Sequence, residues 1–308
     1  MQEIYQKTIY EPVTFNGIGL HTGKKSKITI LPAKENEGII FKRIDLEENN
    51  LVKASYKNVS SAKLCTTLEN KNGVKVSTVE HLLAALYISG IDNALVEINC
   101  EEIPIMDGSA KDFLKILEEA DLRTQSKKRK YLKVSKKLEL VDGKRIISIE
   151  PEENSLKVDF QLNYKTDIIG KQKNVINFQI DNLKDIISSR TFCLFEDIEK
   201  IKKAGLAKGG SLDNAIVIKE NKVLNDGGLR NKKEFVNHKI LDLAGDLVLS
   251  GYRILGKVKC TQGGHELTNM FLRKLFKNSS ILSITENSNH LVSKENIIKP
   301  SIKLAVNA

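Results

Sequence analysis

The chain has 308 residues, of which 41% are hydrophobic and 29% charged, a composition typical of a folded globular protein with room for one large domain or two ordinary ones. Lys and Arg exceed Asp and Glu by 49 to 39, and the net charge of +10 is compatible with nucleic acid, an anionic membrane or a phosphorylated substrate as partner. Only 6% of the residues are aromatic and no zinc-finger or RNA-binding signature occurs, so we expect no nucleic-acid partner.

The four cysteines stand far apart without a C-x-x-C motif, so neither a disulfide framework nor a cysteine-based zinc site is expected. The first residues lack the apolar core of a signal peptide, and nowhere do 18 apolar residues run together. We therefore expect a cytoplasmic, monomeric protein without a transmembrane segment.

In the first half of the chain, short alternating runs over about residues 4–57 predict β-strands. Ser77 and Glu80 have the spacing of a capping box that opens a helix, and Gly90 would end that helix. A strand, N-A-L-V-E-I-N-C, and a second helix over about 109–120 follow.

The second half repeats this order after a basic passage. Residues 126–130 are predicted as a linker between a first domain over 1–125 and a second over 131–308. Strands are expected over about 131–180, and a long helix over 235–251. The strand R-I-L-G-K-V-K-C comes next, and a Gly-Gly turn then opens the helix H-E-L-T-N-M-F-L-R-K-L-F.

An insertion near 191–217 interrupts the second half. Its apolar residues Phe195, Ile198, Ile201 and Leu206 follow roughly helical spacing, which predicts a short amphipathic helix before a Gly-Gly loop. Ordinary packing explains such an apolar stripe more often than a ligand tunnel does.

Both halves thus contain strands, a histidine-bearing helix, a Gly stop, a strand, a Gly turn and a helix. This repetition predicts an α+β protein of two duplicated two-layer sandwich domains, each a sheet with helices packed on one face. If the two helix layers face each other, His81 and His238 can meet at the seam.

The helix predicted over 235–251 carries polar residues at four-residue intervals, His238, Asp242 and Asp246, on an otherwise apolar segment. A buried, unpaired carboxylate costs several kcal/mol by order of magnitude, so these groups need a metal or one another. The simplest alternative is an i,i+4 charge pair on a half-exposed helix, worth roughly 0.2–0.5 kcal/mol.

Together with His81, the residues His238 and Asp242 would provide two histidines and one carboxylate, the pattern of a catalytic zinc site with an open position. Zinc would activate water and polarise a carbonyl, so hydrolysis of an amide or ester is expected. The same ligands also suit a non-haem Fe(II) oxygenase, although the H-x-D strand pattern of such enzymes is missing. A basic protein that binds RNA or membrane without catalysis is the other class left open.

Hydrolysis needs a base and an acid. Glu80, next to His81, could accept a proton from water or could only cap its helix. His265, at a Gly-preceded helix start, could donate a proton if Asp246 keeps it charged, or could be an ordinary buried histidine. His21, in the loop G-I-G-L-H-T-G, is either a turn residue or one that lines a cleft.

Seven motifs, in order along nearly the whole chain, resemble the family of UDP-3-O-acyl-N-acetylglucosamine deacetylases, the zinc amidases of the committed step of lipid A biosynthesis. They are S-T-V-E-H-L-L-A-A-L, G-I-D-N-A, E-I-P-I-M-D-G-S-A, S-R-T-F, L-A-K-G-G-S-L-D-N-A-I-V, H-K-I-L-D-L-A-G-D-L and G-G-H-E-L-T-N. One such motif would be weak, whereas seven in series are highly specific.

The resemblance implies two α+β sandwich domains with a zinc ion between them, held by His81, His238 and Asp242. It also implies that Glu80 activates water, that His265, oriented by Asp246, protonates the leaving amine, and that Thr191 stabilises the oxyanion. Contacts with the substrate head are implied for Lys239, Phe192 and the uracil-stacking Tyr164. The insertion, with Leu206 and Gly210, would hold the acyl chain.

The implied substrate, UDP-3-O-acyl-N-acetylglucosamine, is anionic, which suits the positive net charge. Its acylated product goes to membrane-bound enzymes, so a transient contact with the inner-membrane surface is expected. One position departs from the family: a basic residue that meets the diphosphate often stands three before the catalytic histidine, and here that residue is Gln262.

Overall fold

The computed structural model describes residues 4–286 of the chain. Within that range, the first half contains ten strands and two α-helices: β1 (Tyr5–Ile9), β2 (Val13–Ile18), β3 (Lys25–Pro32), β4 (Ile39–Arg43), β5 (Leu51–Lys53), β6 (Val59–Ser61), β7 (Thr67–Glu69), β8 (Lys75–Val76), α1 (Glu80–Ile88), β9 (Ala94–Ile98), α2 (Lys111–Glu119) and β10 (Leu122–Lys128).

The second half has ten strands and four α-helices in the same described range: β11 (Tyr131–Val134), β12 (Leu138–Asp142), β13 (Arg145–Glu150), β14 (Leu156–Asn163), β15 (Lys171–Asn177), α3 (Lys184–Ile187), β16 (Phe192–Leu194), α4 (Phe195–Lys203), β17 (Ile216–Lys219), β18 (Lys222–Val223), α5 (Glu234–Val248), β19 (Arg253–Thr261), α6 (His265–Lys277) and β20 (Leu282–Thr285). The last residues of the predicted second domain, 287–308, lie outside the described residues.

The main sheet of the first half has the strand order β2-β3-β9-β4-β5. Strands β4 and β9 run parallel, with Ile39 opposite Ala94, and the other pairs are antiparallel. Alternate residues of β4 and β9 are buried, as the two-residue period of a strand requires when one face meets the core. Helix α2 packs against β2, where Phe113 meets Phe15 edge to face at 5.6 Å between ring centroids.

In the second half, the long strand β19 is the centre of the main sheet. It pairs antiparallel with β13 and parallel with β11 and β14, and these strands are flanked by β12, β20 and β15. Helix α5 packs on β14 and β15, and α6 packs on β12 and β13. The α+β fold with helices layered on sheets, predicted from the repeated element order, is confirmed.

The two helix layers meet where α1 packs against α5. Gly245 of α5 permits this contact, because a Cβ atom there would lie 2.0 Å from the carbonyl oxygen of Glu80. Eight of the nine residues of α1 are buried, and a continuous apolar core extends through both halves. The seam between the helices is therefore buried and closely packed.

The predicted capping box at the start of α1 is wrong. The N-cap residue is Val79, and it provides no side-chain cap. Thr78, with φ of 57°, turns the chain so that the Ser77 hydroxyl donates to the carbonyl oxygen of Glu101 instead. The carboxylate of Glu80 is thus not needed as the reciprocal cap.

The basic passage also differs from its prediction as a linker over 126–130. Residues up to Lys128 belong to β10, which pairs antiparallel with β1. The predicted amphipathic helix of the insertion is confirmed as α4, between β16 and β17. No helix among residues 4–286 is long and apolar enough to cross a lipid bilayer.

Asp92 joins the two halves behind the helix seam. Its carboxylate accepts hydrogen bonds from Arg129 at 2.7 and 2.9 Å and from Arg253 at 2.9 Å. The same guanidinium groups donate to the carbonyl oxygens of Gly90 and Tyr87 at the end of α1. All three charged side chains are largely buried. Their charge-assisted hydrogen bonds therefore hold the two halves in one relative position at this point.

We expect Asp92→Asn to lower the free energy of unfolding by about 3 kcal/mol, because it removes the negative charge that two largely buried guanidinium groups face. Urea denaturation measures this change. The matched control is Glu139→Gln, which alters an exposed pair with Lys137 and should cost less than about 0.5 kcal/mol. An equal loss of unfolding free energy in the two variants would contradict a stabilising role for Asp92 between the two halves.

Candidate metal centre

Helices α1 and α5 present their polar side chains to one another at the seam. His81 lies on the first turn of α1, and His238 and Asp242 lie one turn apart on α5. These three side chains are between 1% and 3% exposed, although they are polar. The packing of two helices from different halves of the chain thus brings together residues that are about 160 positions apart in the sequence.

The three side chains converge on a common point. Oδ1 of Asp242 lies 3.3 Å from Nε2 of His81 and 3.3 Å from Nε2 of His238. Two ligands bonded to a tetrahedral zinc ion at about 2.0 Å would be separated by about 3.3 Å. The separations between the carboxylate oxygen and both imidazoles therefore match those of a metal ligand set.

An unsatisfied polar atom supports the same interpretation. Oδ1 of Asp242, which lies near both imidazoles, is buried, and no described residue forms a hydrogen bond with it. Such groups are costly to bury without a partner. The three residues could hold a divalent metal ion, since one donor atom from each lies within 4.8 Å of the others.

The protonation states also suit a metal. Burial lowers the pKa of His238 to about 3, so its imidazole is neutral and has a free lone pair near neutral pH. Nδ1 of His238 lies 3.3 Å from the carbonyl oxygen of Ser189, which favours the proton on Nδ1 and leaves Nε2 to coordinate. Burial opposes the charge of Asp242, but the ammonium group of Lys239 beside it holds the pKa of its carboxyl well below its usual range.

His265 is charged beside this cluster. Its Nδ1 lies 2.8 Å from Oδ2 of Asp246, and its Nε2 lies 3.7 Å from Oε1 of Glu80. Burial disfavours the imidazolium, but the carboxylates of Asp246 and Glu80 outweigh it and raise the pKa of His265 to about 10. The contact between His265 and Asp246 expected from the sequence is present.

Glu80 is held in place by a residue that the sequence did not single out. The backbone N–H of Thr66 donates to Oε2 of Glu80 at 3.0 Å, and the Thr66 hydroxyl donates to Oδ1 of Asp246 at 2.6 Å. Burial raises the pKa of Glu80 above its usual value. Thr66 lies in a loop without a recognisable motif. Only its contacts with the two distant carboxylates of Glu80 and Asp246 show that it holds them in place.

A small cavity of about 30 Å³ opens at the metal cluster. It is lined by the three candidate ligands together with Leu20, His21, Leu64, Cys65, Thr78, Glu80, Ile105, Thr191, Lys239 and His265. His21 therefore faces a cleft, and neither of its ring nitrogens has a hydrogen-bond partner among the described residues. A larger cavity of about 730 Å³, at the far end of the seam, contains none of the candidate ligands.

The side chains expected at the substrate head form one cluster beside His238. Nζ of Lys239 pairs with Oδ2 of Asp242 at 2.7 Å and lies 5.6 Å from the ring centroid of Phe192. That ring meets Tyr164 at 5.9 Å and His238 at 6.2 Å between centroids. The structure thus brings these three predicted residues together, although only Lys239 lines the small cavity.

Leu206 and Gly210, expected to contact an acyl chain, lie in the loop after α4 and outside the lining of the small cavity. Gly210 lies close to a residue that lines the cavity, since a Cβ atom there would lie 3.6 Å from Cδ1 of Leu20. Gln262, at the position that departs from the family, is engaged elsewhere: its amide group exchanges two hydrogen bonds with the backbone of Asn163.

Comparison with known proteins gives consistent matches over most of the chain. The family model described as LpxC, UDP-3-O-acyl N-acetylglycosamine deacetylase, matches residues 6–277. Proteins named UDP-3-O-acyl-N-acetylglucosamine deacetylase from Citrifermentans bemidjiense and Syntrophotalea carbinolica are each 42% identical over 284 residues, 92% of this chain and 92% and 91% of their own lengths. The protein of that name from Haemophilus ducreyi is 40% identical over 280 residues, 90% of this chain and 92% of its own.

We expect His238→Ala to lose stoichiometric metal binding, because it removes one of three convergent donors, whereas His265→Ala should retain it. Elemental analysis after dialysis against buffered metal measures both. His265→Ala is a matched control, since it deletes a buried imidazole from the same cavity without removing a member of the ligand set. Full metal content in His238→Ala would exclude this residue as a ligand.

Proposed function

The chain belongs to the LpxC family of UDP-3-O-acyl-N-acetylglucosamine deacetylases, and we propose that it hydrolyses the N-acetyl group of UDP-3-O-acyl-N-acetylglucosamine, with a zinc ion as cofactor. His81, His238 and Asp242 would hold the ion. The observation that carries this proposal is the convergence of these three donors beside the imidazole of His265, which Asp246 contacts, and a second carboxylate, Glu80.

A zinc ion bound by this ligand set would supply a Lewis acid that polarises the amide carbonyl and makes water more acidic. Glu80 is suited to accept the proton of the attacking water. Its Oε2 is fixed by Thr66, while Oε1 points towards the imidazole of His265. Burial raises the pKa of Glu80 towards the range in which a carboxylate is an effective base.

His265 would supply the second proton. As the amide C–N bond breaks, its Nε2–H protonates the leaving nitrogen, and the products are acetate and a free amine. Asp246 holds Nδ1 at 2.8 Å, which orients the ring and keeps it charged until the proton is needed. Glu80 and His265 thus have opposite tasks: the carboxylate accepts a proton from water, and the imidazolium donates one to the leaving nitrogen.

Thr191 and Lys239 both line the cavity in which the carbonyl would lie. The hydroxyl of Thr191 would donate a hydrogen bond to the carbonyl oxygen as it becomes negative. The ammonium group of Lys239, whose pKa is raised because Asp242 outweighs the effect of burial, would attract the anionic substrate head.

Phe192 and Tyr164 would form an aromatic wall for the head of the substrate, beside Lys239. The acyl chain would leave the cavity along the insertion, past Gly210 and Leu206. Support for this direction comes from the contact between the insertion loop and Leu20, which lines the cavity.

We also place this reaction in the cytoplasm, carried out by a monomer that touches the inner-membrane surface only transiently. Four free cysteines, three of them buried, suit a reducing compartment. The excess of Lys and Arg over Asp and Glu suits both an anionic nucleotide sugar and an anionic lipid surface.

Glu80→Gln should lower kcat by about 100-fold or more, because the amide cannot accept a proton from water. Metal content should remain stoichiometric. The control is Glu69→Gln, a partly exposed carboxylate paired with Lys75 in the same half of the chain, whose activity should equal that of the wild type. If Glu80→Gln only melts at a lower temperature and keeps its kcat, Glu80 supports the Thr66 loop and is not the base.

Removal of the metal by a chelator should abolish amide hydrolysis, and added zinc should restore it. Without a cation, nothing in the ligand set would polarise the carbonyl or make the water more acidic. The assay measures release of acetate under anaerobic conditions. A protein that only binds RNA or membrane would show salt-sensitive binding without any dependence on metal. An Fe(II) oxygenase would require dioxygen, so turnover without it argues against that class.

A further inference from the structure

The side chains of Leu20 and His21 line the cavity, and they belong to residues 19–23, here called the histidine loop. A carboxylate that the proposed chemistry does not use holds this loop from inside. Glu102 is fully buried, and it accepts hydrogen bonds from the backbone N–H of His21 at 2.8 Å and of Thr22 at 2.7 Å.

A third donor completes the environment of this carboxylate. The hydroxyl of Thr78 donates to Oε1 of Glu102 at 3.0 Å. Gly19 packs directly on Glu102, since a Cβ atom at Gly19 would lie 2.3 Å from Oε2. The histidine loop therefore has little freedom to move on its inner side.

The outer side of the histidine loop contacts the insertion from the other half of the chain. The backbone N–H of Lys208 donates to the carbonyl oxygen of His21 at 3.2 Å, and that of Gly209 donates to Leu20 at 3.0 Å. A Cβ atom at Gly209 would lie 2.3 Å from the carbonyl oxygen of Gly19. The loop is thus held between Glu102 and the insertion, with backbone contacts on both sides.

We infer that Glu102 is a positioning residue, which fixes the histidine loop against the insertion and thereby sets the width of the route that the acyl chain takes out of the cavity. The part concerning the acyl chain rests on the function proposed above. Glu102 touches none of the candidate metal ligands and is not among the residues that line the cavity, so it acts through the loop.

Glu102→Gln is the appropriate change, because it preserves volume but replaces one acceptor oxygen by an NH₂ group. One of the donors, the N–H of His21 or Thr22 or the hydroxyl of Thr78, must then face another donor. The neighbouring Glu101→Gln is the matched control: it removes the same charge from an exposed pair with Lys24 and leaves the loop contacts intact.

Amide hydrogen exchange reports the position of the loop without any need for activity. In Glu102→Gln, the amides of His21, Thr22, Lys208 and Gly209 should exchange at least about tenfold faster than in the wild type, while those of α1 and α5 remain protected. Glu101→Gln should exchange as the wild type does. Unchanged exchange at all four amides in Glu102→Gln would overturn the positioning role.

Steady-state kinetics then test the acyl route. For a long-chain substrate, Glu102→Gln should raise KM by about tenfold with kcat within about threefold, and for a short-chain analogue KM should change little. A fall in kcat that is equal for both substrates would overturn the link to the acyl chain. If the wild type hydrolyses neither substrate, the proposed function fails, and hydrogen exchange still decides the role of Glu102.

Gly209→Ala approaches the same contact from the insertion side. The new methyl group would collide with the backbone of Gly19 and push the two segments apart, so it should reproduce the KM increase while Glu102 remains intact. A normal KM for the long-chain substrate in this variant, together with faster exchange of the loop amides, would contradict the proposed link between the loop–insertion contact and the acyl chain.

Discussion

The close packing of α1 on α5 is the contact on which the candidate site depends. It brings His81 from one half of the chain to His238 and Asp242 from the other, and it does so with a helix separation so small that residue 245 has room only for glycine. Neither helix carries a complete ligand set by itself. The candidate metal centre therefore depends on the interface between the two halves.

That interface concentrates negative charge among buried side chains. Three carboxylates, from Glu80, Asp242 and Asp246, lie within contact distance of a single imidazole, that of His265. Burial of so many acidic groups costs several kcal/mol each unless cations compensate them. The charge on His265 and the ammonium of Lys239 offset part of that cost. A divalent ion held between the helices, as proposed above, would offset more of it.

The sequence predicts the parts of this site that follow local periodicity. The four-residue spacing places His238 and Asp242 on one helix face, and the repeated element order brings His81 to them. The cap at Ser77 was wrong because a contact between distant residues decided it: the hydroxyl of Ser77 donates to the carbonyl oxygen of Glu101. The basic passage up to Lys128 likewise forms a strand because it pairs with β1. The roles of Thr66 and Glu102 leave no local pattern, since their partners are remote in sequence.

An anomalous-difference map at the zinc absorption edge, from crystals of the zinc-loaded protein, tests the proposed metal centre most directly. We predict one strong peak at the helix seam, about 2 Å from Nε2 of His81, Nε2 of His238 and a carboxylate oxygen of Asp242. A strong peak elsewhere, or one that contacts only one of these three side chains, would contradict it.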